Sequence, residues 1–155
     1  MFNVARQTLS TVALDTDALA NTPRESDPYN YVIVPGFVRK DALPAIHDTY
    51  PEIDQPGSFP HQSLAFGPAF SALLDELQGP KMRAAIEKVF DIDLTGRPTT
   101  VTVRGHCQLK DGRIHQDSSE KIITVLVYMN PAWEESGGQL RVLRSDKNLE
   151  DYAAE

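Results

Sequence analysis

Apolar residues recur at helical spacing in two consecutive stretches of the chain. Phe70, Leu73, Leu74 and Leu77 fall three and four positions apart, and Gly79-Pro80 closes the run; Met82, Ala85, Ile86 and Val89 then repeat the spacing. Residues spaced this way share one face of an α-helix, so two amphipathic helices are predicted in succession. Upstream, Asp41 stands where it can cap a helix reaching about Tyr50, with Pro44 tolerated in the first turn. Val4, Leu9, Val12 and Leu19 permit a helix near the start, interrupted by Thr, Ser and Asp and ended by Pro23.

Elsewhere the pattern is that of strands and turns. Tyr31-Val32-Ile33-Val34 is a short β-prone run stopped by Pro35-Gly36. Residues 51–63 hold three prolines and a glycine and read as a loop. After Gly96 the character changes: Thr99 to Val103 is β-prone, and Lys121 to Met129 is apolar on both faces, as a strand buried on both sides should be. Gly137-Gly138 opens a further predicted strand, Gln139 to Leu143. Helices first and strands second predict an α+β fold with an antiparallel β-core. The expected organisation is an N-terminal extension over residues 1–28, partly helical, then one domain over 29–155. In that domain 29–96 supply helical support and 97–155 the β-core.

Composition narrows the function classes. With 155 residues, 41% of them hydrophobic, the chain suits one globular domain with a real core. A net charge of -7 and no Lys/Arg cluster argue against a phosphate-backbone partner, so no nucleic acid is expected. Cys107 is the single cysteine and fits a reducing compartment. No leader-type apolar core and no run of about 18 apolar residues is present, so a cytoplasmic protein with no membrane partner is the expectation.

The candidate chemistry lies in His115-Gln116-Asp117, just ahead of the predicted buried strand. Residues i and i+2 of an extended segment project to the same side, so this spacing can offer an imidazole and a carboxylate to one metal ion. A second histidine from elsewhere would complete the 2-His-1-carboxylate face of non-haem Fe(II), which leaves open positions for a co-substrate and O2. The tripeptide alone carries little weight, since short motifs arise by chance; read by itself, it is a polar pair in a loop.

Its surroundings add to it. His115-Gln116-Asp117, then Lys121 to Asn130 with Tyr128 near its end, then Trp133, then Gly137-Gly138-Gln139-Leu140-Arg141 resembles the prolyl-4-hydroxylase-like group of iron(II)- and 2-oxoglutarate-dependent oxygenases. The resemblance implies a double-stranded β-helix, the squashed jelly-roll barrel also seen in cupins, with helices packed on it. It implies His115 and Asp117 as the first two iron ligands and as the catalytic pair. Tyr128 matches the tyrosine that helps hold the distal carboxylate of 2-oxoglutarate, and Thr124 and Leu140 match positions lining that co-substrate pocket. Fe(II) is the implied metal, 2-oxoglutarate the co-substrate and ascorbate an optional reductant. The implied reaction hydroxylates a small-molecule or peptide substrate, a prolyl or amino-acid side chain among the candidates, and releases succinate and CO2.

The chain departs from that pattern in three places. All four histidines (His47, His61, His106 and His115) lie at or before the motif, so the distal iron histidine is not among them. The Arg or Lys that follows that histidine in the family, and the upstream metal-site tyrosine, have no counterpart here. The expectation is that this chain is the front part of a longer oxygenase, incomplete at its C-terminal side. The other route is a homo-oligomer in which a partner completes the barrel. Two rivals stay open: a non-catalytic β-sandwich interaction module, and a cupin-like metal enzyme that does not use 2-oxoglutarate.

Overall fold

A computed structural model of the chain describes residues 12–134 and 137–155. It is an α+β structure, and its residues sort into two compact units that interleave along the sequence. In described residues, the first unit comprises 12–23, 32–51 and 65–99; the second comprises 24–31, 52–64, 100–134 and 137–155.

The first unit is helical. Its elements are α1 (Thr16–Asn21), α2 (Leu43–Asp48), α3 (Pro68–Leu77) and α4 (Pro80–Phe90). Asp15 starts α1, its carboxylate accepting from the Ala18 N–H at 2.8 Å, which satisfies one of the donors a helix start leaves open. Asp41 does not cap α2 as the sequence predicts: Ala42 holds the cap position, and Asp41 lies 3.8 Å from Arg39 instead. Proline occupies the first turn of α2, α3 and α4, where its missing N–H has no helical partner to lose. Gly79 separates α3 from α4, and Asp91 ends α4 in the left-handed region at φ 53°.

Packing follows the predicted faces. Phe70, Leu73 and Leu74 of α3 and Met82, Ala85 and Ile86 of α4 are buried, together with Leu14, Leu19, Val38 and Ile46. Each fully buried side chain of this size contributes about 1.5–3 kcal/mol of transfer free energy. Tyr50 and Phe66 meet Phe70 edge to face at 4.8 and 5.3 Å. Burial pushes the Tyr50 hydroxyl up from its ordinary pKa. A carboxylate closes this unit: Glu76 of α3 accepts from the Ala13 N–H at 2.8 and 3.1 Å and from the Leu14 N–H at 2.9 Å.

The second unit carries the sheets. Strand β1 (Ser58–Pro60) pairs antiparallel with β2 (Thr102–Arg104), Phe59 opposite Val103. Strand β3 (Val142–Leu143) pairs antiparallel with β4 (Tyr152–Ala154). Among the described residues these two-stranded ribbons are the sheets formed; a closed barrel is not. Val103 and Val142 are the buried hydrophobic side chains of this unit.

Several expectations are corrected here. The predicted loop 51–63 contains β1 and a 3-10 turn, His61–Ser63. The run Tyr31–Val34 is not a strand; Tyr31 makes one isolated bridge to Glu25. Of the strand expected over Gln139–Leu143, Val142–Leu143 forms. Lys121–Met129, expected as a buried strand, forms no ladder, and Ile122, Val125, Leu126 and Tyr128 stand about half exposed. The reason is non-local: a strand apolar on both faces needs a paired strand at its edges, and among the described residues none pairs with this run. Val4 and Leu9 lie outside the described residues, while Leu19 is buried in α1 as the helix reading requires.

Candidate metal and co-substrate site

His115 follows a 3-10 turn, Leu109–Gly112, that Gln108 and Asp111 brace reciprocally: the Gln108 N–H donates to the Asp111 carboxylate at 2.9 Å. Extended backbone at Arg113 then leads into the motif. The ring of His115 bonds through Nδ1 to the Arg113 carbonyl at 2.8 Å. A carbonyl only accepts, so in this contact Nδ1 carries a proton, and in the neutral form of the ring Nε2 is the nitrogen with the lone pair. That is the usual state of a metal-binding imidazole, whose other nitrogen donates to a carbonyl or carboxylate.

Asp117 is the second candidate ligand, and a turn folds the chain back onto it. The Lys121 N–H donates to the Ser118 carbonyl at 3.0 Å, and the Glu120 N–H to the Ser118 hydroxyl at 3.4 Å. This returns Lys121 to Asp117, with Nζ 2.9 Å from Oδ1. The Thr124 hydroxyl donates to the other oxygen, Oδ2. Those two bonds, Thr124 first and Lys121 second, hold the Asp117 carboxyl below its ordinary pKa, with smaller help from the charge of Lys121 and of nearby His115. Asp117 therefore remains an anion as pH falls below the ordinary aspartate range, and its ion pair is lost only when pH drops through the lowered value.

Tyr128 and Leu140 also meet. The Leu140 N–H donates to the Tyr128 hydroxyl at 2.9 Å, and Trp133 stands edge to face against Tyr128 at 5.6 Å between ring centroids. The indole N–H donates to the Gly137 carbonyl at 3.2 Å. Gly138, at φ +88°, lies under that indole: a Cβ there would come within 3.2 Å of Trp133. The Trp-containing turn and the glycine pair thus form one packed feature with Tyr128.

The five residues singled out from sequence therefore appear as two contacting pairs and a neighbour. Asp117 touches Thr124, Tyr128 touches Leu140, and His115 lies beside Asp117 without bonding to it. A cluster of three or more His, Cys, Asp or Glu able to hold a metal is absent among the described residues. The donors present fit Fe(II) in kind, imidazole and carboxylate, and the set falls short by one. Sequence reasoning missed two participants, Lys121 and the Arg113 carbonyl. Lys121 was legible, four residues beyond Asp117; the Arg113 contact depends on backbone geometry and was not.

Comparison of the chain with protein-family models, with curated proteins and with solved structures finds no match. No helix among the described residues is long and apolar enough to cross a membrane.

Proposed function

We propose that this chain contributes the metal-side part of an Fe(II)- and 2-oxoglutarate-dependent dioxygenase with a double-stranded β-helix. His115 and Asp117 are two of its iron ligands, and Thr124, Tyr128 and Leu140 border the co-substrate. The observation that carries the reading is the anchoring of His115 through Nδ1, which leaves Nε2 as the nitrogen for a metal, two residues from a carboxyl whose pKa is lowered. Iron held there would supply the redox chemistry by which O2 is consumed, one oxygen atom hydroxylating a C–H bond of the substrate and the other entering succinate as 2-oxoglutarate loses CO2. This chain's part is to hold the ligands: the Arg113 carbonyl fixes the ring of His115, and Thr124 orients the Asp117 carboxylate. Tyr128, whose oxygen accepts from the Leu140 N–H, keeps its O–H proton to donate to an anionic group. The exposed apolar side chains of Ile122, Val125 and Leu126 support a strand that a barrel would cover. The substrate class stays at a small molecule or peptide, with prolyl and free amino-acid side chains first on the panel.

Assayed with Fe(II), 2-oxoglutarate, O2 and that panel, the protein in an assembly that completes the iron ligand set is expected to release succinate. His115→Ala and Asp117→Ala are expected to lower the rate more than about 100-fold, since loss of supporting groups alone costs 10–100-fold. Tyr128→Phe is expected to raise the KM for 2-oxoglutarate about tenfold, the worth of one bond to a charged group. Absence of succinate with every substrate would refute the oxygenase, and metal-dependent activity that needs no 2-oxoglutarate and is unchanged in Tyr128→Phe would favour a cupin-like enzyme. A second reading, a non-catalytic interaction module, draws on the satisfied state of Asp117, both of whose oxygens have partners within the chain. Equal metal binding by wild type and His115→Ala would select it.

A further inference from the structure

Asp117 already holds a cation. The ammonium of Lys121 lies 2.9 Å from one carboxylate oxygen and the Thr124 hydroxyl bonds the other, so each oxygen already has a partner from the chain itself. The turn Ser118–Lys121 is what brings the ammonium there, closed by its backbone bond of 3.0 Å. Nothing encloses the pair: the Lys121 side chain is 54% exposed and that of Asp117 39%. A lysine is a compact point charge on a flexible stem, so it can swing into water without the turn unfolding.

We propose that Lys121 is the internal counter-ion of the metal site: it stands in for the metal on Asp117, and a divalent cation binds by displacing it. The inference rests on the reading of His115 and Asp117 as metal ligands. Two physical effects make the displacement matter. An ammonium within hydrogen-bond reach of the carboxylate repels an incoming dication over a few ångströms, and this repulsion is screened by salt. A metal would also compete for the same two oxygens, each of which already has one of its lone pairs engaged by the chain. Without metal, the latch keeps the carboxylate neutralised and oriented; with metal, Lys121 is released beside the site as a free cation. Lys121 is thus a positioning residue that sets metal affinity.

The test is a titration of the protein with Mn(II) alone, followed by the electron paramagnetic resonance of the free ion at low ionic strength. Lys121→Met keeps the length of the side chain and removes its charge; it is expected to tighten Mn(II) binding about three- to tenfold. Lys121→Arg keeps the charge and is expected to stay within about twofold of wild type. At ~0.5 M NaCl the advantage of Lys121→Met is expected to shrink toward none. His115→Ala is included throughout, and amide hydrogen exchange at the β1–β2 ribbon, which belongs to the same unit as the site, checks that each variant is folded. Unchanged affinity in Lys121→Met, with binding still lost in His115→Ala, overturns the latch and leaves the metal site standing. Equal tightening in Lys121→Met and Lys121→Arg overturns it as well, because charge is then not the cause. Binding that ignores His115 in every variant overturns the metal site, and the latch with it.

Discussion

Replacing Glu76 with alanine is expected to destabilise the helical unit by about 3 kcal/mol, because it strips two buried backbone donors of their acceptor. Ala13 and Leu14 are 4% and 2% exposed, so water cannot take over once the carboxylate is gone. Both N–H groups reach the carboxylate of α3 across more than sixty residues of sequence, at 2.8 to 3.1 Å. The same short segment is tied on its other side, where the Arg39 N–H donates to the Ala13 carbonyl at 2.8 Å and the Asp15 N–H to the Phe37 carbonyl at 2.8 Å. Loss of Glu76 therefore frees one side of a segment whose Leu14 sits in the core. Glu76→Gln keeps one acceptor oxygen and should lose about half as much. Urea denaturation followed by far-ultraviolet circular dichroism is the measurement, since all four α-helices belong to this unit. A loss below about 0.5 kcal/mol in Glu76→Ala would show that the segment is held by Leu14 packing alone.

The second large effect is expected at Gly105→Ala, at about 3 kcal/mol, the upper end of what overpacking costs. A Cβ at this position would come 2.3 Å from the Gln55 carbonyl oxygen and 2.6 Å from Ile53 Cγ2. The first of those atoms is backbone, which has no rotamer to turn aside. The approach is close because the Gly105 N–H donates to the Gly57 carbonyl at 2.9 Å, extending the β1–β2 ribbon by one more bond. Alanine there must push residues 53–57 away and break that bond. Amide hydrogen exchange at residues 103–106 reads the outcome: protection is expected to fall by about two orders of magnitude, the rate equivalent of 3 kcal/mol. Gly112→Ala is the control, because a Cβ there meets nothing within 4 Å, and its stability should match wild type to within about 0.5 kcal/mol. Full protection in Gly105→Ala would mean that the 53–57 segment yields freely.

The two substitutions mark where sequence was informative. Helices α3 and α4 were legible because everything that makes them is local: the 3,4 spacing of Phe70, Leu73 and Leu74, and the Gly79-Pro80 stop that also starts the next helix. Neither the Glu76 clamp nor the Gly105 contact could be read that way, since each joins residues far apart in the chain. Strand β1 was hidden inside a proline-rich segment, and only its pairing with Val103 reveals Phe59 as a strand residue. Lys121–Met129 shows the converse. Its composition has every mark of a strand, yet a ladder is a property of two chains side by side, and composition cannot supply the second. At the candidate site, the resemblance grouped Thr124, Tyr128 and Leu140 around one co-substrate beside His115 and Asp117, whereas the structure pairs Thr124 with Asp117 and Leu140 with Tyr128. What spacing could not foresee was that these groups would satisfy each other.

The bare stretch Ile122–Asn130 also bears on how the molecule behaves in a test tube. It has no charge, no proline and no glycine, and its β-branched side chains stand in water. Such a run is the kind of segment that stacks on identical copies of itself when molecules crowd together. Mutual repulsion between chains of net charge -7 opposes that encounter, and the repulsion fades as the solution approaches the isoelectric point near 5.0. Mildly acidic buffers would thus bring these stretches into register with one another and turn a clear solution cloudy, whereas neutral, dilute conditions keep them apart.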